Sequence, residues 1–168
     1  MAVLRTGLLL LLLLSGASSA VAHMGRSIAF LCPEGRLPEL TAHIVAAYMG
    51  EQMGRDMDVS TRENPARCLS SILDREAPMA LIPESDWNSG SEGLVEVGYF
   101  RPDGGAAFVL VMGEEAAANL QFSLVPRYLA KLSEGVNRRD LEDGSIKVGG
   151  GEGPRKVALD LLREADLI

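Results

Sequence analysis

Short apolar runs alternate with longer amphipathic stretches from residue 27 to residue 83. "SIAFLC" (Ser27 to Cys32), "MDVST" (Met57 to Thr61) and "PMALIP" (Pro78 to Pro83) have strand length and are bounded by proline or turn residues. Between the first two, apolar positions recur with helical spacing. Leu37, Leu40, Ile44, Ala47 and Tyr48 fall on one face of a helix predicted from about Pro38 to Met53. Gly54 stands where a left-handed residue ends a helix. Asn64 and Pro65 then supply an N-cap and a first-turn proline for a second helix, with Cys68, Leu69, Ile72 and Leu73 inward. This βαβαβ order predicts an α/β protein: a mostly parallel sheet between helices on both faces, in three layers.

The second half has a different rhythm. "LVEVGYF" and "AAFVLVM" read as strands separated by the turn "RPDGG". "SLVPRYLAKLSEG" turns Leu124, Val125, Tyr128, Leu129 and Leu132 to one side, and Asn137 caps a short helix in "NRRDLED". "SIKV" reads as a turn or a short β-like run. A last helix starts at Pro154, packing Val157, Ala158, Leu161 and Leu162 back toward the sheet. Glycines ahead of that helix resemble a phosphate cradle. However, Gly153 is followed by Pro154, Arg155, Lys156 and Val157, so the Lys-Ser/Thr pair of a phosphate loop is missing and Pro154 removes a donor.

The N-terminus changes the picture of where the protein works. Arg5, a run of seven leucines and an Ala-x-Ala site at Ala20 to Ala22 have the three parts of a cleavable signal peptide. The apolar run is too short to span a bilayer, and no cysteine at the cleavage point invites lipidation. The expectation is a signal peptide over residues 1–22 and one α/β domain over 23–168, periplasmic or secreted. The net charge of −7 becomes −8 once Arg5 is removed, with no basic stretch for nucleic acid or anionic lipid. Export also puts Cys32 and Cys68 in an oxidising compartment. Cys32 ends one strand and Cys68 opens the helix after its neighbour, so a Cys32–Cys68 disulfide is expected at the sheet's carboxyl edge.

Ligands of parallel α/β sheets bind beyond the carboxyl ends of the strands. That rule selects the loops "CPEGR", "RENPAR" and "ESDW", and with them Glu34, Arg36, Glu63, Asn64, Arg67, Glu84, Asp86 and Trp87 as candidate ligand-facing residues. Tyr99 and Phe100 read as strand-end packing. A catalytic constellation does not assemble. Glu34 and Glu39 have no nucleophile beside them, and acids in a first helical turn serve the helix dipole. Cys32 has no base, His43 sits beside an apolar helix face, and His23 belongs to a terminal tail. No enzyme, metal or cofactor is expected.

"IAFLCPEGRLPELTAHIVAAYMGEQMGRDMDVS", "ILDREAPMALIPESDW" and the closing "PRYLAKLSEGVNRRDLEDGSIKVGGGEGPRKVALDLLREADLI" together resemble the periplasmic substrate-binding proteins of glycine betaine, choline and other quaternary-amine ABC transporters. The resemblance implies one lobe of a periplasmic-binding-protein-like fold, a transport or sensing role and a quaternary-amine ligand. Members of that family have two lobes closing on the ligand. Between Trp87 and Val125 this chain has no room for the second. It reads as a single lobe whose open cleft is completed by a protein partner or a second copy. The alternative is an accessory or structural subunit that kept the fold and lost the ligand. Only 5% of the residues are aromatic, few for a cage around a cation.

Overall fold

The computed structural model describes residues 27–103 and 105–168. The expected signal peptide and His23 lie outside them. Five strands, β1 (Ile28–Pro33), β2 (Met57–Arg62), β3 (Met79–Pro83), β4 (Leu94–Phe100) and β5 (Phe108–Gly113), form one sheet in the order β2-β1-β3-β5-β4. β1 pairs in parallel with β2 and β3, while β5 is antiparallel to both β3 and β4. Four strands therefore run in one direction and only β5 is reversed. The α/β class and the layered architecture are those expected from the sequence pattern.

α1 (Arg36–Met53) connects β1 to β2, and α2 (Pro65–Leu73) connects β2 to β3. The first crossover moves one strand outward and the second returns past β1 in the opposite sense. Right-handed connections then put the two helices on opposite faces of the sheet. Two buried clusters follow. The first contains Phe30, Cys32, Leu81, Leu110 and the inner face of α1. The second contains Leu31, Cys68, Ile72, Ile82, Val109 and Val111 under α2. Alternate residues of β1 and β3 supply the two clusters, as the pleat requires.

The first face is deeply covered. α4 (Val125–Gly135) lies on β4, coming close enough at Gly98 that an added Cβ would sit 3.1 Å from Leu129. α5 (Arg138–Gly149) and α6 (Pro154–Glu164) pack mainly on α1. The last helix thus forms an outer layer on α1, where packing back toward the sheet was expected. Leu161 and Leu162 are nevertheless buried in the first cluster. α3 (Glu114–Ala117) is a single turn after β5.

Local signals in the sequence act as read. Gly54 closes α1 at φ 63°. The Asn64 side chain accepts from the Arg67 N–H at 3.0 Å, with Pro65 in the first turn. Asn137 and Asp140 make a reciprocal capping box. Two readings change. "SIKV" is neither strand nor turn but the last turn of α5. That helix starts from a strong cap and packs on α1, so its glycines and exposed Ile146 are carried along. Leu73 and Leu124, read as inward, are half exposed because each lies at a helix end beyond the packed stretch.

Cys32 and Cys68 also depart from expectation. Both are free and buried, and the expected bridge between them is not formed. Cys32 points from β1 into the first cluster, while Cys68 on α2 belongs to the second, across the sheet. Nearness along the carboxyl edge does not bridge two faces. Burial pushes the Cys32 thiol up to about 12, helped by Cys68 and Glu39, and the Cys68 thiol up to about 11. In the unfolded chain both ionise above the ordinary 9.0. Their contribution to stability is therefore complete below pH 9 and is lost as pH rises toward 11–12. Thiol titration should find both groups protected in the folded protein and two reactive thiols in urea without reductant. Absence of thiol in urea would reveal a bridge.

Candidate functional site: the carboxyl edge of the sheet

Because β1, β2, β3 and β4 share one direction, Pro33, Arg62, Pro83 and Phe100 end at the same edge. The N-termini of α1 and α2 open there as well. Glu34 follows β1, exposed, and its N–H donates to the Arg62 carbonyl at 2.7 Å, tying the first two loops together. Gly35, at φ 135°, turns the chain into α1, and its N–H donates to Glu39 Oε1 at 3.2 Å. Glu39 is therefore engaged in closing the helix start. Glu63, Arg67 and Asp86 face solvent.

Three of the residues selected by the strand-end rule have structural tasks. Asn64 spends its side-chain oxygen on the α2 cap. Arg36 lies against the end of α5: a Cβ at Gly149 would fall 2.7 Å from its Nη1. One of the glycines that suggested a phosphate cradle thus makes room for an arginine. Trp87 packs on the second cluster, and its Nε1–H donates to Glu96 Oε2 at 3.0 Å.

The position of Trp87 has a topological cause. β3 and β4 run the same way but are joined only by a 3₁₀ turn (Glu84–Asp86) and an irregular loop, where a crossover helix is usual. The indole, partly buried, packs against the second cluster from this helix-free connection. It is a roof over the second cluster.

The residues that sequence reasoning passed over lie beside it. β4 carries a bulge: Glu96 pairs with Val111 and Gly98 with Leu110, leaving Val97 as an extra residue. Without the bulge, Glu96 and Tyr99 would point to opposite faces. With it, both face the second cluster, and the Tyr99 hydroxyl donates to Glu96, raising its pKa. Arg101 continues the alternation. Its guanidinium carbon is 4.3 Å from the centre of the Tyr99 ring, and it forms an ion pair with Glu84 across the start of β5. A period-2 reading that allowed one extra residue in "LVEVGYF" would have placed Glu96, Tyr99 and Arg101 together.

Elsewhere, His43 is half-buried in α1. Burial and the Arg155 charge lower its pKa, with Glu39 opposing, so it is neutral near pH 7. It lines a groove of ≈ 380 Å³ with Arg55, Arg155 and Glu51, away from the carboxyl edge. A groove of ≈ 880 Å³ lies at the opposite edge, between Ile28, Ile72, Ala77, Gly113 and Phe122. Among the described residues, no group of three or more His, Cys, Asp or Glu is placed to hold a metal ion. Among the same residues, no helix is long and apolar enough to cross a membrane.

No protein-family model matches the chain, and the comparison with curated proteins gives no match. Among solved structures, a chain described as an OxyR mutant from Porphyromonas gingivalis is similar over 46% of this chain and 38% of its own length. At 23% identity and a TM-score of 0.32, that likeness carries no argument about this chain.

Proposed function

We propose that this chain is an exported, non-catalytic domain of the substrate-binding-protein type, reduced to a single lobe. In this reading its carboxyl edge faces a small solute of the quaternary-amine class in a transport or sensing system, and another chain completes the cleft. The observation that carries the reading is the β4–β5 hairpin. Phe100 and Phe108 pair directly across it, so the stretch between Trp87 and Val125, where the resemblance implies a second lobe, is taken up by a hairpin of the same sheet. In this reading the edge is open, and Glu34, Glu63, Glu84 and Asp86, exposed or half-buried, border it.

An open edge limits affinity. A ligand covered on one side only keeps competing with water, and Trp87, the single tryptophan, is engaged in packing. Calorimetry of the purified exported protein with glycine betaine, choline and carnitine should therefore give roughly millimolar affinity at best, near −4 kcal/mol. A micromolar dissociation constant for the isolated chain would replace the partner-dependent reading with an ordinary solute receptor. Edman sequencing beginning at His23 would support export, and a retained Met1 would remove it.

A further inference from the structure

Glu84, Glu96, Trp87 and Tyr99 come from two segments separated in the sheet by β5, yet they form one connected group. Glu96 accepts from the Trp87 Nε1–H at 3.0 Å, and its interaction with the Tyr99 hydroxyl raises the tyrosine pKa. The face of the Tyr99 ring carries the Arg101 guanidinium, which also pairs with Glu84. An aromatic face with carboxylates around it attracts a cation through the ring quadrupole and direct charge. Here the cation belongs to the chain itself.

We propose that Tyr99, Glu84 and Glu96 form a seat for an organic cation, a guanidinium or a quaternary ammonium, which Arg101 fills from within. Two observations separate the seat from an ordinary surface ion pair. The β4 bulge brings Tyr99 and Glu96 to one face through backbone pairing with β5, and Glu96 is held there by the Trp87 Nε1–H, so the ring and its carboxylate stay in place when Arg101 leaves. Arg101 and Glu84 are 55% and 41% exposed, so the guanidinium can swing into water at little cost. A tethered side chain acts at high local concentration, and a free cation must compete with it. The seat is thus closed to weak ligands until Arg101 is drawn away. The inference rests on reading the carboxyl edge as the ligand-facing surface.

The test compares the exported wild type, Arg101→Ala and Arg101→Ala/Tyr99→Leu. Methylguanidinium and choline are titrated against matched sodium chloride, and Trp87 fluorescence and calorimetry report binding. Arg101→Ala should bind at least one of the two cations about tenfold more tightly than wild type, and the double variant should lose that gain. Because Arg101 is largely exposed, its variant should keep the wild-type circular dichroism spectrum. Equal affinity in wild type and Arg101→Ala, or a gain that survives Tyr99→Leu, overturns the seat. Choline binding by wild type that ignores both substitutions would uphold the solute-binding reading and overturn the seat. A gain confined to methylguanidinium would uphold the seat and remove the quaternary-amine reading.

Discussion

Leu162→Ala is expected to lower the unfolding free energy by about 2–5 kcal/mol. Leu162 is fully buried on α6, together with Ala158, and Val157 and Leu161 are nearly so. α6 is only 11 residues long, too short to be stable alone, so its docking depends on this apolar stripe. The stripe packs mainly on α1, which spans β1 to β2 and holds the first face of the sheet. Truncation leaves a cavity between two helices whose backbones are fixed by other contacts. α5 already touches α1 at Gly144, where a Cβ would come within 2.8 Å of Leu40, so α1 has little freedom to collapse into the gap. Urea denaturation followed by circular dichroism measures the effect. An unchanged midpoint would show that α6 is not docked.

Phe100→Ala should cost about 3–5 kcal/mol, for a different reason. Phe100 and Phe108 face each other across β4 and β5, fully or almost fully buried in the first cluster, immediately before the loop 101–107. They are the last residue pair of the β4–β5 ladder at the carboxyl end of β4. Losing the ring removes both its buried area and the aromatic pair that holds the hairpin end together. The loss should also loosen Arg101, the next residue, and with it the contact to Tyr99. Hydrogen exchange would therefore show faster exchange at β4 and β5 than at β1 and β2. A uniform change, or a cost below about 1 kcal/mol, would mean that the hairpin is not sealed by this pair.

The candidate site was partly legible in the sequence. The strand-end rule selected loops that the fold does bring to one edge, because it depends only on strand direction and helix order. It did not give the duties of single side chains. Asn64 was a ligand candidate and an N-cap at once, and the cap takes its oxygen. Arg36 sits in a ligand loop by position, yet its guanidinium reaches Gly149, more than a hundred residues away in the chain. Trp87 looked like a cleft aromatic and is a roof, because the β3–β4 crossover lacks a helix.

The sequence by itself determined the elements and their order. Apolar runs of strand length, helical periodicity, the Gly54 stop, and the Asn64 and Asn137 caps are local features, and each acts within a few residues of itself. Tertiary structure decided everything that depends on which face a residue meets. The pleat separates Cys32 from Cys68, although both lie near one edge. The helix of "SIKV" is carried by the Asn137 cap, two turns upstream, and by contact with α1. One extra residue, Val97, turns Tyr99 toward Glu96 and puts Arg101 on its ring. A strand has a period of two, so a single inserted residue reverses every side chain after it, and only pairing with β5 fixes where that insertion falls.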